Sequence, residues 1–298
     1  MNKYLKLTVI LLLVMTQGCS SIATKSNDTS SLAQLIIAEP LAVNYKSEIA
    51  LARLTEVIQR ADITDTQRAQ LYYDRGVIYD SVGLRALARL DFSRAIRLKP
   101  DLVDAHNFMG IHLTQLQEYN QAYESFDSAL DLAPEHEYAY LNRGIALYYG
   151  GRPQLAADDF KVFHKSLEND PYRLLWLYLA EYESNSEQAK LDLIERAKAV
   201  DDAVWAKQII RLYTGELAYS QFIEQLTQNV KSNKELTERL CEAYFYLGKY
   251  SQNNKNNSVA ANFFKLALST NVFEFVEHRY AKLELNLMRD TVIGRVQP

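Results

Sequence analysis

The chain has 298 residues, 48% of them hydrophobic, which is enough to bury a substantial core and excludes wholesale disorder. It contains only ten glycines and six prolines, which disfavours a turn-rich all-β fold and favours long helices. The formal net charge of −4 lacks the basic excess that nucleic-acid binding requires, and the two cysteines, Cys19 and Cys241, are too few for a disulfide framework or a thiolate metal site.

The first residues are typical of an export signal. Two lysines precede an apolar run, 7–15, that is too short to span a bilayer as a helix. Gly18 and Cys19 then resemble the end of the bacterial lipobox, in which the cysteine is acylated and becomes the first mature residue. Residues 1–18 are therefore interpreted as a lipoprotein signal peptide and Cys19 as the lipidation site; the alternative is an ordinary signal peptide. Ser20 stands where an Asp would signal inner-membrane retention, so the resemblance implies the outer membrane, facing the periplasm.

Two segments connect this signal to the repeats. Residues 19–45 are rich in Ser, Thr, Asn and Ala without a hydrophobic period, which predicts a flexible tether. Residues 46–66 are predicted as an N-terminal capping segment, with a helix over 47–60 where apolar residues recur at helical spacing. This helix is expected either to cover the first repeat or to pair with its copy in a homodimer.

Residues 67–170 contain a pattern that recurs every 34 residues. It comprises Gly76, Gly110 and Gly144, then Ala88, Ala122 and Ala156, then Phe92, Phe126 and Phe160, with Pro100 and Pro134 ending the first two units. This is the signature of the tetratricopeptide repeat (TPR), a pair of helices in which glycine and alanine permit close approach. Thr64 and Gln67 form a capping box that opens the first of three such repeats.

The rest of the chain continues the helical pattern. Residues 171–240 are predicted as degenerate helical pairs, with helices over 174–182, 188–198, 203–213 and 219–228. Residues 241–298 restore the repeat, with Gly248 and Phe264 at the same offsets, a turn over 251–258 and a closing helix over 274–287. The predicted fold is an all-α, tetratricopeptide helical-hairpin solenoid.

No constellation of residues indicates catalysis. The histidines lack metal-ligand spacing, and neither a nucleophile elbow nor a phosphate-binding loop is present in the sequence. Cys241 begins the last repeat and is interpreted as a buried small hydrophobe. We therefore expect no enzymatic activity, no catalytic residue, no metal site and no cofactor.

A stack of tetratricopeptide repeats offers a concave groove lined by the first helix of each pair, which can hold a peptide. The predicted groove residues are Tyr73, Val77, Asp80, Asn107, Ile111, Thr114, Leu141, Asn142, Ile145 and Tyr148. Their amide and apolar side chains suit main-chain hydrogen bonds and shallow pockets; the alternative is that they serve only packing or solvation.

Three segments resemble the NlpI family of tetratricopeptide-repeat outer-membrane lipoproteins. They are DSVGLRALAR at 80–89, LNRGIALYYGGR at 141–152 and FVEHRYA at 275–281. The resemblance extends over essentially the whole mature chain, and these strings are more specific than the repeat offsets alone.

The resemblance implies a homodimeric adaptor in the periplasm. Such a protein brings a peptidoglycan endopeptidase to the tail-specific (C-terminal processing) protease for degradation, and it scaffolds other cell-wall hydrolases and synthases. Two alternatives remain open. One is a tetratricopeptide lipoprotein subunit of an outer-membrane assembly machine, for β-barrel insertion or a pilus secretin; the other is a cell-wall hydrolase.

Overall fold

Fourteen α-helices and no strand make up the part of the chain that the computed structural model describes, residues 36–294. The helices are α1 (Tyr45–Ile58), α2 (Asp65–Ser81), α3 (Arg85–Leu98), α4 (Val103–Gln115), α5 (Tyr119–Leu132), α6 (Glu137–Tyr149), α7 (Pro153–Lys165), α8 (Pro171–Ser184), α9 (Ser186–Arg196), α10 (Lys207–Thr214), α11 (Tyr219–Gln225), α12 (Asn233–Asn253), α13 (Asn257–Ser269) and α14 (Val276–Val292). Within this range, none of the helices is both long and apolar enough to cross a bilayer. The predicted signal peptide over 1–18, Cys19 and the tether as far as residue 35 lie outside the described residues.

The repeat pattern places a phenylalanine of each outer helix against a glycine of its inner partner. A Cβ atom on Gly110 would lie 2.6 Å from the ring of Phe126, so no larger residue fits without moving α5 away from α4. The pairs α2–α3, α6–α7 and α12–α13 are built in the same way around Phe92, Phe160 and Phe264, which are fully buried. The predicted all-α tetratricopeptide solenoid is confirmed by this packing.

Ion pairs add to the packing in two repeats, one buried in the first repeat and one partly buried in the third. Arg75 donates to both carboxylate oxygens of Asp91, at 2.6 and 2.9 Å, and Arg143 donates to both oxygens of Asp159, at 2.8 Å each. Each pair joins the inner helix to the outer helix at the same repeat position. Bidentate geometry of this kind fixes orientation as well as distance.

Capping side chains explain where the structure departs from the predicted boundaries. The Asn44 side chain accepts a hydrogen bond from the backbone amide of Lys46, so α1 begins before the predicted residue 47. The Ser232 hydroxyl accepts a hydrogen bond from the backbone amide of Glu235, so α12 begins well before residue 241, where the last repeat was predicted to start. This helix runs on to Asn253, leaving a turn much shorter than the predicted 251–258.

Two contacts bring the ends of the described chain together. The amide of Leu41 donates to the carbonyl of Thr270 at 3.0 Å. The Thr237 hydroxyl lies 3.0 Å from the carbonyl of Glu39 and shares its proton between that carbonyl and the carbonyl of Asn233 in its own helix. The last residues of the tether predicted over 19–45 are thus hydrogen-bonded to the C-terminal repeat instead of being free of it. In addition, α14 packs against the inner helices of the first repeats.

Candidate functional site

The concave side of the first three repeats is formed by α2, α4 and α6 and is partly covered by α14. Arg279 reaches the first repeat, Tyr280 stacks on Tyr149 with ring centroids 5.4 Å apart, and Asp290 accepts a hydrogen bond from Gln117 at 3.3 Å. A segment of the chain itself therefore occupies part of the surface expected to receive a partner.

Asp80, predicted as a groove residue, anchors this helix. Its side chain is 2% exposed, accepts from Arg279 at 2.5 Å and lies 3.2 Å from Nε2 of His112. Burial opposes its ionisation, but His112 and Arg279 outweigh burial and lower the pKa of Asp80. Burial lowers the pKa of His112, although Asp80 acts in the opposite direction. Because its carboxylate is already paired, Asp80 is not available to a ligand.

Six of the ten predicted groove residues line neither of the two cavities described below: Tyr73, Val77, Asp80, Thr114, Ile145 and Tyr148. The Thr114 hydroxyl donates to the carbonyl of Gly110 within its own helix, and Ile145 is fully buried. Tyr73 packs on Phe92, and burial raises its pKa to about 12. Tyr148 donates to Glu183 at 3.3 Å. Position on the inner helix therefore did not by itself predict which residues line these two cavities.

The other four predicted residues come together in the α4–α6 cavity, which has a volume of about 370 Å³. Asn107, Ile111, Leu141 and Asn142 line it together with Asp104, Phe108, His136, Tyr138, Glu274, Val276, Arg279 and Tyr280. The Asn142 amide donates to the Asn107 carbonyl oxygen at 3.1 Å, which leaves both side chains with unused donor or acceptor capacity. Asp104 on the rim lies 3.0 Å from His136, which caps α6 through its other ring nitrogen.

A second cavity, the α8 cavity, adjoins the first and has a volume of about 290 Å³. It is lined by Tyr138, Leu141, Phe163, Asp170, Tyr172, Arg173, Trp176, Glu242, Glu274, Phe275, Val276 and Glu277. Tyr138, Leu141, Glu274 and Val276 line both cavities, so the two lie side by side near the start of α14, and together they are called the depression.

Two of the glutamates that line the α8 cavity receive hydrogen bonds only from neutral donors. Glu242 accepts from the indole of Trp205 at 3.2 Å and from the Tyr172 hydroxyl, and Glu277 accepts from the Tyr246 hydroxyl at 3.3 Å. Burial, with the neighbouring Glu277, raises the pKa of Glu242 to about 8. Burial likewise raises the pKa of Glu277 to about 7. Both groups carry less negative charge near neutral pH than an exposed glutamate does.

Tyr138, Glu242, Glu274 and Glu277 were not among the site residues predicted from the sequence. Three of them come from α12 or the start of α14, and their proximity to the repeats depends on how the chain folds back. The one available signal was the FVEHRYA string at 275–281, which supplies Val276, Glu277 and Arg279.

Comparisons with known proteins agree with this architecture. The tetratricopeptide repeat family profile matches residues 69–102. A tetratricopeptide repeat protein from Parabacteroides merdae is 16% identical, with a TM-score of 0.51 over 83% of this chain and 100% of that chain. MamA from Desulfovibrio magneticus is 19% identical, with a TM-score of 0.39 over 68% and 94% of the two chains. YrrB, described as a TPR protein with an unusual peptide-binding site, is 15% identical, with a TM-score of 0.40 over 79% and 97%.

The arrangement is suited to binding. Within residues 36–294, no group of three or more His, Cys, Asp or Glu side chains is placed to hold a metal ion. Cys241 is buried, as predicted, and burial raises the pKa of its thiol well above the ordinary value, which disfavours the nucleophilic thiolate. Tetratricopeptide stacks act as protein-interaction scaffolds, and the depression beside α14 is where such an interaction finds both amide and carboxyl groups.

Proposed function

We propose that this protein is a non-catalytic scaffold that binds a peptide segment of a partner in the α4–α6 and α8 cavities. The observation that carries the proposal is the depression itself, which combines free amide capacity at Asn107 and Asn142 with apolar walls at Ile111 and Leu141. An extended peptide needs main-chain partners and side-chain pockets together.

In its finer form, the proposal makes the protein a lipid-anchored outer-membrane adaptor facing the periplasm. It would bind a peptidoglycan endopeptidase and present it to the tail-specific protease, and it would act as a homodimer. The lipobox-like Cys19 and the three strings shared with the NlpI family support this form. The scaffold would act by effective concentration, because two partners held on one anchored protein meet as if joined.

The test is a pull-down with the tagged full chain from detergent-solubilised envelopes, read by mass spectrometry. The blocking variant is Tyr138→Arg, since Tyr138 lines both cavities and is 53% exposed, so its replacement leaves the core intact. The matched control is Leu87→Arg on the outer helix α3, where the leucine is 44% exposed. The wild-type chain and the control should recover the endopeptidase and the protease, and Tyr138→Arg should lose the endopeptidase.

Other results would redirect the proposal. Recovery of barrel-assembly or secretin components would place the protein in the assembly class. Retention of every partner by Tyr138→Arg would remove the cavities from the binding function. Digestion of purified peptidoglycan by the isolated protein would make it a hydrolase.

A further inference from the structure

The α8 cavity differs from an ordinary apolar pocket in the residues that line it. The aromatic residues Tyr138, Phe163 and Trp176 and the glutamates Glu242 and Glu277 all line it. Its volume of about 290 Å³ lies at the lower limit of small-molecule sites, which suits the end of one side chain better than a whole ligand.

Arg173 lines this cavity and Arg279 lines the neighbouring one, and both guanidinium groups already have anionic partners. Arg173 donates to Glu137 at 2.9 and 3.1 Å and to the carbonyl of Phe163 at 2.7 Å, and its guanidinium carbon lies 3.9 Å from the Phe163 ring centroid. Arg279 is held by Asp80. In the part of the chain that the structure describes, no lysine or arginine pairs with the carboxyl groups of Glu242, Glu274 or Glu277.

Burial makes this lack of a cation significant. Glu277 is 6% exposed, and a buried carboxyl group with only neutral donors is costly to ionise. A cation entering the cavity would favour the ionised form of the glutamates. It would compensate their negative charge as Arg279 compensates the charge of Asp80. The aromatic walls would contribute in the same direction, since a cation within about 6 Å of a ring face is attracted to it.

We propose that the α8 cavity takes a lysine side chain from an internal segment of the partner polypeptide, with its ammonium group against Glu242 and Glu277 and its methylene stem along Trp176 and Tyr138. An internal segment is favoured over a chain end because the adjoining α4–α6 cavity carries amide groups that can bond a main chain passing through. This inference rests on the proposed function and adds the chemistry that selects the partner.

The test uses the full chain in detergent and three fluorescein-labelled peptides blocked at both ends. The peptides share flanking leucines and serines and differ at the central residue, which is lysine, norleucine or glutamate. Norleucine keeps the methylene stem and removes the charge. By fluorescence anisotropy at pH 8.5, the lysine peptide should bind about tenfold more tightly than the norleucine peptide and more tightly still than the glutamate peptide.

Two further measurements assign that preference to the cavity. The double variant Glu242→Gln/Glu277→Gln should bind the lysine and norleucine peptides equally, whereas Glu187→Gln, an exposed carboxyl on α9, should keep the preference. The second measurement is a pH series with the unaltered chain. Lysine-peptide affinity should rise from pH 6 to 8.5 as the two carboxyl groups ionise, and norleucine-peptide affinity should not. The groups that face Glu242 and Glu277 are Asp170, Tyr172, Glu238, Cys241 and Tyr246.

Equal binding of the lysine and norleucine peptides by the unaltered chain would overturn the inference, and so would a lysine preference that survives the double variant. Binding of an otherwise identical norleucine peptide with a free amino terminus, in place of the blocked lysine peptide, would also overturn it. The proposed function would survive these results if Tyr138→Arg still lost the endopeptidase in the pull-down. It would fail separately if Tyr138→Arg kept every partner.

Discussion

Two buried carboxyl groups beside α14 have opposite surroundings. Asp80, on the first repeat, has Arg279 at 2.5 Å and His112 at 3.2 Å, and its pKa is lowered despite burial. Glu277, in the α8 cavity, has a tyrosine hydroxyl at 3.3 Å, and burial raises its pKa to about 7. The two sites have similar burial, so the difference lies in whether a cation is supplied by the chain.

This difference separates a structural role from a binding role. At Asp80 the charge is compensated internally, and the pair holds α14 against the repeats. At Glu277 the compensation is missing, which is why that end of the depression is the better candidate for a cationic partner. Four changes should test the contrast, in order of decreasing effect.

Asp80→Ala should destabilise the protein by about 3–5 kcal/mol, because it leaves Arg279 buried without a counter-charge. Urea unfolding followed by circular dichroism measures this. As a control, Asp80→Leu combined with Arg279→Met should regain most of the loss, since removing both charges also removes the desolvation cost. A loss below about 1 kcal/mol in Asp80→Ala would show that the pair does not hold α14.

Gly83→Ala tests whether shape also holds this end. Gly83 has φ +80°, and a Cβ atom there would lie 2.9 Å from the Phe273 ring, just before α14. The matched control is Gly151→Ala, which has φ +72° with nothing within 4 Å of the added atom. We expect about 1 kcal/mol of destabilisation for the control and about 2 kcal/mol for Gly83→Ala, measured by urea unfolding. Equal losses of unfolding free energy in the two variants would mean that the Phe273 ring moves aside at no energetic cost.

Glu277→Gln should change how stability depends on pH. The Glu277 side chain binds its proton more tightly in the folded state than in the unfolded state, so wild-type stability falls as pH rises from about 4.5 to about 7. The variant lacks this loss and should be more stable than wild type at pH 9, by up to about 3 kcal/mol or several degrees in Tm, and equal at pH 4. Thermal melts at both pH values measure it. The same destabilisation at pH 4 and 9 would contradict a titrating role.

Thr237→Val concerns the N-terminal contact and should have the smallest effect. It removes a hydroxyl that is shared between the carbonyl of Glu39, at 3.0 Å, and the carbonyl of Asn233 in its own helix, at 2.7 Å, so the loss should be at most about 0.5–1.5 kcal/mol. Hydrogen exchange at the Leu41 amide should accelerate, while exchange in α6 should not change. Thr291→Val, whose hydroxyl bonds only within its own helix, is the control. Unchanged exchange at Leu41 would place the attachment of this segment elsewhere.

Much of the fold was predictable, because the same glycine–phenylalanine contact recurs in successive helix pairs. The glycine and phenylalanine offsets predicted the helix pairs, and Thr64 with Gln67 predicted the start of α2 through its capping box. The candidate site was only partly predictable. Asn107 and Leu141 were found from their position on inner helices, whereas Glu242 and Glu277 were not, since local periodicity carries no information on which distant helix covers a surface.

The Asp80–Arg279 contact has a consequence for how the chain acquires its structure. Its two residues are 199 apart in sequence, and the Thr237–Glu39 bond joins residues 198 apart. In an open repeat array each unit contacts only its neighbours, so ends can fray and folding can propagate from any unit. Here the N-terminal segment and the first repeat contact the C-terminal helices across a very large sequence separation, which slows folding and couples the two ends in one cooperative transition. Removal of the last thirty residues, which include Arg279, should thus destabilise the first repeat.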